Sequence, residues 1–270
     1  VKKIVPLLLL LAAILPFACT KSLTSDHLSS DASPVLQHKY LVGLEGSLYN
    51  GSFQYTDSLQ VSALSFSQPG YISSYFVYYS GGRPQTILSS NDSLGLVRDT
   101  VFTFVYDPSM GRALKIVHDS GYDSLGYDGL GRLSSIYRYN GIPLAFWEFD
   151  SLTVDINNDL MTEYQIPVTD NYRTLHFEYD SAANPLQASN LGFLLGVVNG
   201  GAWEDLSTHN VLTRSIHTST LSAPAQVLVE TDTNTYTYGG DGLPLSVIEK
   251  QVNMATGTLV YSFDYVYSVK

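Results

Sequence analysis

The sequence predicts an all-β fold, an antiparallel meander of about 12–14 strands curled into a barrel or half-barrel, with a two-sheet β-sandwich as the alternative. Three observations lead there. Tyr and Phe are abundant, at 20 and 11 residues, while charged residues make up only 14%, a balance that favours strands over helices. Side chains alternate with period two: in YSFDYVY, Tyr261, Phe263, Tyr265 and Tyr267 share one face, and in VFTFVY so do Phe102, Phe104 and Tyr106. Finally, a hairpin unit recurs along the chain. It is clearest as YDGLGRLSSI, where Tyr127 ends a strand, Asp128 opens a turn, Gly131 supplies positive φ and Ile136 lies on the return strand.

Taken in chain order, the N-terminus is expected to be processed. Lys2 and Lys3 precede an apolar run that ends at Ala18, directly before Cys19, which predicts a signal peptide over residues 1–18 rather than a transmembrane span. A cysteine placed immediately after the cleavage point resembles that of a bacterial lipoprotein, in which Cys19 would carry the acyl chains. It is the single cysteine of the sequence, so no disulfide pair competes for it. Residues 19–35 are rich in Ser and Asp and read as a flexible tether, which leaves 36–270 as one β domain.

Within that domain the unit recurs at Tyr78 (YYSGGRPQTI), Tyr106 (YDPSMGRALKI), Tyr127 and Tyr238 (YGGDGLPLSV). Weaker copies start at Tyr55 and Tyr179, and the poorest at Val154 keeps little beyond the turn and Asn158. A long gap before Tyr238 marks an insertion near 186–230. Its apolar, Gly-rich start NLGFLLGVVNGGAW is expected to form a short helix or loop packed across one mouth of the sheet, or a lid over a cavity. No stretch longer than about ten residues has convincing helical periodicity.

The units YDGLGR and YDPSMGR resemble the YD, or Rhs-type, repeat of bacterial surface and toxin proteins. The order of a lipoprotein signal, YD-like hairpins, FEYDSAANPL, an apolar Leu-Leu stretch, THNVL, TYTYGGDGLPLSV and a tyrosine-rich last strand is similar to that of a bacterial lipoprotein family. That family has a porin-like fold and no assigned function. Ala183 and Gln187 depart from its pattern around Asn184-Pro185. The resemblance implies a curved antiparallel β architecture at the cell envelope and transfers no catalytic residue.

A search for chemistry gives little. The formal charge of −11 argues against a nucleic-acid partner. No G-x-S-x-G, H-E-x-x-H, P-loop or helix-opening G-x-G-x-x-G is present, so no cofactor, metal site or catalytic residue is assigned and a non-catalytic role is expected. Asp155, Asn157 and Asp159 have calcium-loop spacing, but Leu160 and Ile166 stand where that loop needs Gly and Glu, so a polar turn is expected. His209 and His217 lie eight residues apart, which on one strand places them on the same side, and they read as ordinary positions. An enzyme would need convergence such as His209 near Asp205 with a further carboxylate. The ligand-contact candidates are Trp203, placed at the end of the insertion, Trp147, which alternation assigns to the core, and His209. The expected protein is anchored by acyl chains at the envelope, at the outer membrane. It would be a non-catalytic module that binds a lipid, glycan or protein or serves a structural role; a lipid carrier with an apolar barrel cavity and a glycan-acting enzyme are alternatives. A membrane-spanning barrel is disfavoured by the Ser, Thr, Asp and Glu on both strand faces.

Overall fold

A computed structural model of the chain describes residues 41–46, 50–90, 99–141, 145–201 and 203–269; the expected signal, Cys19 and the tether lie outside the described residues. The strands are β1 (Leu41–Gly46), β2 (Asn50–Tyr55), β3 (Val61–Gln68), β4 (Tyr71–Ser80), β5 (Arg83–Ser90), β6 (Asp99–Tyr106), β7 (Ala113–His118) and β8 (Gly121–Tyr127). They continue as β9 (Leu133–Asn140), β10 (Ala145–Val154), β11 (Leu160–Pro167), β12 (Tyr172–Ala183), β13 (His209–Ser219), β14 (Val227–Tyr238), β15 (Pro244–Asn253) and β16 (Thr258–Val269). Every strand pairs antiparallel with its sequence neighbours, and β1 pairs with β16, closing a sixteen-stranded barrel. Closure excludes the sandwich. The strand number exceeds the expected 12–14 because the seven repeat turns account for β2 to β15 only, and β1 and β16 flank them as the closing pair.

The turns that follow even-numbered strands share one rim, and the tyrosines of the repeat bind that rim together. Tyr55 donates its hydroxyl to the Leu41 carbonyl (2.5 Å), Tyr79 to Val61 (2.9 Å), Tyr106 to Pro84 (2.6 Å), Tyr127 to Ala113 (2.7 Å) and Tyr179 to Leu160 (2.7 Å). Each phenol at the end of one strand thus satisfies the carbonyl that opens the strand before it. Burial pushes the Tyr79, Tyr106 and Tyr127 hydroxyls up to about 12, so they remain donors at neutral pH. In the second hairpin the structural tyrosine is therefore Tyr79. Tyr78, placed first by sequence alignment, faces out and is 46% exposed. The slip arises because this hairpin uses only Gly81 and Gly82 as its turn, both at positive φ (57° and 78°).

The glycine and arginine of the unit have a joint role. In the opening turn of the motif, Asp128 accepts the N–H groups of Leu130 and Arg132 (2.9 Å each), and Gly131 sits at φ 85°. The Arg112 guanidinium of the preceding hairpin lies 5.5 Å from the Tyr127 ring centroid and occupies the space a Cβ on Gly131 would need. Arg83 repeats this over Tyr106 and against Gly111, at 5.7 Å from the ring. The next hairpin offers Val154 and Asn158 instead of Tyr and Gly, and Arg132 there donates to the Asp155 carbonyl (2.6 Å). Degeneracy in sequence is matched by a substitute contact in space.

The long gap resolves into a plug followed by strands. After β12 the chain forms a 3₁₀ segment (Pro185–Asn190), the helix α1 (Leu191–Val198) and a second 3₁₀ segment (Trp203–Leu206) before β13. Instead of crossing the mouth, the plug enters the lumen. Leu191, Leu194, Leu195 and Val197 join one core with inward residues from many strands, among them Phe66, Ile87, Phe104, Ile116, Ile136 and Phe177. A sixteen-strand ring is too wide for its own side chains to fill, so inserted chain must do so. Gly192 and Gly196 let the return segment lie against the helix: a Cβ on Gly192 would strike the Asp205 carbonyl, and one on Gly196 the Trp203 ring. The reversal is a Schellman-type stop, with Gly200 at φ 71° and the Gly201 N–H bonding the Gly196 carbonyl (3.0 Å).

Replacing Gly131 by Ala should lower the unfolding free energy by about 1–3 kcal/mol, because the new Cβ meets both positive φ and the Arg112 guanidinium. Gly129→Ala, with nothing within 4 Å of the added Cβ, should change it by no more than about 0.5 kcal/mol. Urea midpoints of the two variants test the rim device directly.

Candidate functional site

The three ligand-contact candidates lie in three different settings. Trp203 is 2% exposed and packs on Gly196 and Phe193, with ring centroids 6.4 Å apart in the latter pair. Proposed as a ligand contact from its place at the end of the insertion, it is instead a core residue of the plug. Trp147 is 56% exposed, the reverse of the core position that alternation assigns it. The reason is a β-bulge: β10 pairs Phe146 with Tyr139 and then Glu148 with Arg138, leaving Trp147 as the extra residue. Phe146 and Trp147 both face out as a result, while Glu148 turns inward.

His209 belongs to the neck of the plug. Its Nδ1 lies 2.7 Å from Asp159 Oδ2, and its backbone N–H donates to Asp159 Oδ1 (2.9 Å). Beside it, Ser207 Oγ accepts the Leu160 N–H (2.9 Å) and donates to Tyr179 Oη (2.9 Å). Asn184 Nδ2 donates to the Ser207 carbonyl (3.1 Å), closing the entry and exit of the plug. His209 pairs with Asp159, so the catalytic convergence with Asp205 envisaged from sequence does not form. The Asp155 carboxylate accepts the N–H groups of Asn157 (2.8 Å) and Asp159 (2.9 Å) within its own turn. His217 rests edge-on against His176 at 5.2 Å.

Trp147 borders an open recess of about 510 Å³ at the rim opposite the tyrosines. Its wall carries His118, Asp119, Ser120, Asp123, Arg138 and Asn140, and the end of the plug at Val198–Gly200 forms its floor. Arg138 is fixed by Glu148 and Asp150, each at 2.7 Å. The adjoining outer face is aromatic: Tyr122 stacks on Tyr139 at 4.7 Å, Phe146 meets Tyr139 edge-on at 5.9 Å, and Lys115 sits 4.0 Å over Tyr122. None of the polar wall was legible as a site, because Asp119, Ser120 and Asn140 read in sequence as ordinary turn residues.

Behind the recess the lumen becomes acidic. Burial pushes Asp150 up to about 7 against the pull of Arg138. Glu163, fully buried, is pushed up to about 8, first by burial and then by the Asp150 charge; its Oε1 accepts from Gln165 (2.8 Å). A second cluster lies between the plug and β13–β16. There Arg214 bridges Glu204 (3.1 Å) and Asp232 (2.5 Å) at the edge of a cavity of about 240 Å³.

Comparison with solved structures agrees with this architecture. A crystal structure of a porin-like protein from Bacteroides uniformis ATCC 8492 superposes with a TM-score of 0.57 at 13% identity, covering 85% of this chain and 98% of that one. A porin-like protein from Bacteroides vulgatus ATCC 8482 gives a TM-score of 0.41 at 9% identity, over 85% of this chain and 99% of that one. A Photorhabdus luminescens Tc holotoxin pore gives 0.34 at 12% identity, over 79% of this chain and 9% of that one. The last two scores are too low to bear on the fold. No family model and no curated protein sequence matches the chain. The chain therefore has a porin-like fold, a closed sixteen-stranded antiparallel barrel whose lumen its own insertion occupies.

A carboxyl group whose folded pKa is raised binds its proton more tightly in the folded than in the unfolded chain, so stability falls as pH rises across the gap. For Glu163 the gap runs from 4.5 to about 8. Glu163→Gln should flatten that decline and stabilise the protein at pH 8 by about 1–3 kcal/mol relative to wild type. Thermal unfolding at pH 5 and pH 8, compared for the two proteins, tests this.

Proposed function

We propose that the protein is a non-catalytic glycan-binding module of the bacterial cell envelope, held at the outer membrane by acyl chains on Cys19. The observation that carries this reading is Trp147, which stands 56% exposed beside an open recess walled by Asp119, Arg138 and Asn140. An exposed indole offers a flat apolar face to the C–H surface of a sugar ring, and carboxylate, amide and guanidinium groups match its hydroxyls. The barrel is the rigid support.

The outer wall favours an anchored barrel over a spanning one. Outward positions on β14 are Thr231, Thr233, Thr235 and Thr237; on β16 they include Ser262, Asp264 and Ser268, and Lys250 and Glu178 project from β15 and β12. A lipid-facing wall would need an uninterrupted apolar band at these positions. An apolar ligand carrier fits less well, since the apolar part of the lumen packs against α1 and the cavity between the plug and β13–β16 carries four carboxylates.

Two measurements test the reading. On a glycan array, the full chain should select particular glycans, and Trp147→Ala should weaken binding about tenfold or more without moving the unfolding midpoint. Equal binding by the variant, or no glycan bound by either, sinks the proposal. In cells supplied with a clickable fatty acid, the wild-type chain should be labelled and Cys19→Ala should not; label retained by the variant would refute the anchor.

A further inference from the structure

The second cavity, at the other side of the plug from the Trp147 recess, has chemistry of its own. Four carboxylates line it, from Glu204, Asp205, Asp232 and Glu249, and Arg214 is the one cation among the described lining residues. Arg214 is already committed to Glu204 and Asp232. Asp232 is 3% exposed, yet its Oδ1 has no hydrogen-bond partner among the described residues, and the same holds for Asn234 Oδ1 beside it. Two buried acceptors left open in a native wall each carry a desolvation cost, which a donor entering the cavity would relieve. The same stretch of sheet supplies the rings of Tyr236 on β14 and of Tyr265 and Tyr267 on β16.

We propose that this cavity binds a small organic cation, a primary ammonium on a short carbon skeleton. The excess of acids calls for positive charge, and the open acceptors call for N–H donors. The tyrosine faces suit both a cation and the methylenes that carry it. A volume of about 240 Å³ limits the guest to a small molecule. Among the described residues no group of three or more His, Cys, Asp or Glu is placed to hold a metal ion.

The acids also set the pH response. Burial holds Asp205 well above the usual carboxylate range, and the neighbouring Glu204 charge adds to the push. Glu204 is raised by burial against the pull of Arg214. Glu249 on β15 adds a further unfavourable charge to both, and its Oε1 accepts the Tyr261 hydroxyl (2.8 Å). A guest cation favours the ionised forms, so its binding releases protons and tightens as pH rises.

Isothermal titration calorimetry on the full chain separates charge from donors with three probes: 1,4-diaminobutane, tetramethylammonium and erythritol. The diamine should bind about tenfold or more tightly than either of the others, and about tenfold more tightly near pH 8 than near pH 5. Asp205→Asn and Glu249→Gln, which leave the Arg214–Asp232 pair in place, should each weaken the diamine by about tenfold without lowering the unfolding midpoint. Trp147→Ala should leave diamine binding as it is, so that this result and the glycan result stand apart. The inference is overturned if erythritol or tetramethylammonium binds as tightly as the diamine, or if both carboxamide variants bind the diamine like wild type.

Discussion

A ring of sixteen strands encloses more space than its inward side chains can fill, and most of the molecule follows from that constraint. Folded chain must enter the lumen, and only a compact segment fits. The stretch 185–206 meets the need by packing α1 against its own return segment, with glycines wherever the two backbones approach. Once there, Leu191, Leu194, Leu195 and Val197 convert the barrel's inner wall into an ordinary hydrophobic core. The neck is then secured by Asn184, Ser207 and the Asp159–His209 pair, which satisfy the backbone that the insertion would otherwise leave unpaired.

The filling is lopsided, and the functional character of the lumen comes from the asymmetry. Strands β3 to β9 present mainly apolar residues to α1, whereas β10 and β11 and then β13 to β15 carry Asp150, Glu163, Arg214, Asp232 and Glu249 inward. Arg138 and Arg214 each anchor two acids, but the acids outnumber them. Buried charge of one sign is unfavourable unless it is paired or protonated, and here the raised pKa values of Asp150 and Glu163 show protonation taking part of the load. The plug thus divides the lumen into a recess at one rim and an acidic cavity nearer the other.

The rim with the repeat turns shows how an irregular sequence can sustain a regular closure. Tyrosine hydroxyls tie five of the seven repeat units to the start of the previous strand, and Arg83 and Arg112 reach forward to the next tyrosine and glycine. Where Val154 and Asn158 break the pattern, Arg132 finds a carbonyl instead. What is preserved is satisfaction of the exposed end of the ladder, and more than one side chain can supply it.

Local chemistry was legible from the sequence. Turn residues with positive φ, strand alternation in Phe102–Tyr106 and Tyr261–Tyr267, and the Gly spacing of the insertion are short-range signals, and the structure shows a hairpin, an inward aromatic stripe and a close-packed helix at those places. The candidate sites were legible only as residue types. One bulged residue inverted the facing of Trp147, because period two survives only while every residue is paired. Trp203 went into the core because Gly196, seven residues earlier, leaves room for its ring, a contact no alternation can report. Closure through β1 and β16, and the meeting of Glu204 with Arg214 and Asp232, join segments distant in sequence. Their partners are chosen by the width of the ring and the path of the plug, so only the tertiary structure could decide them.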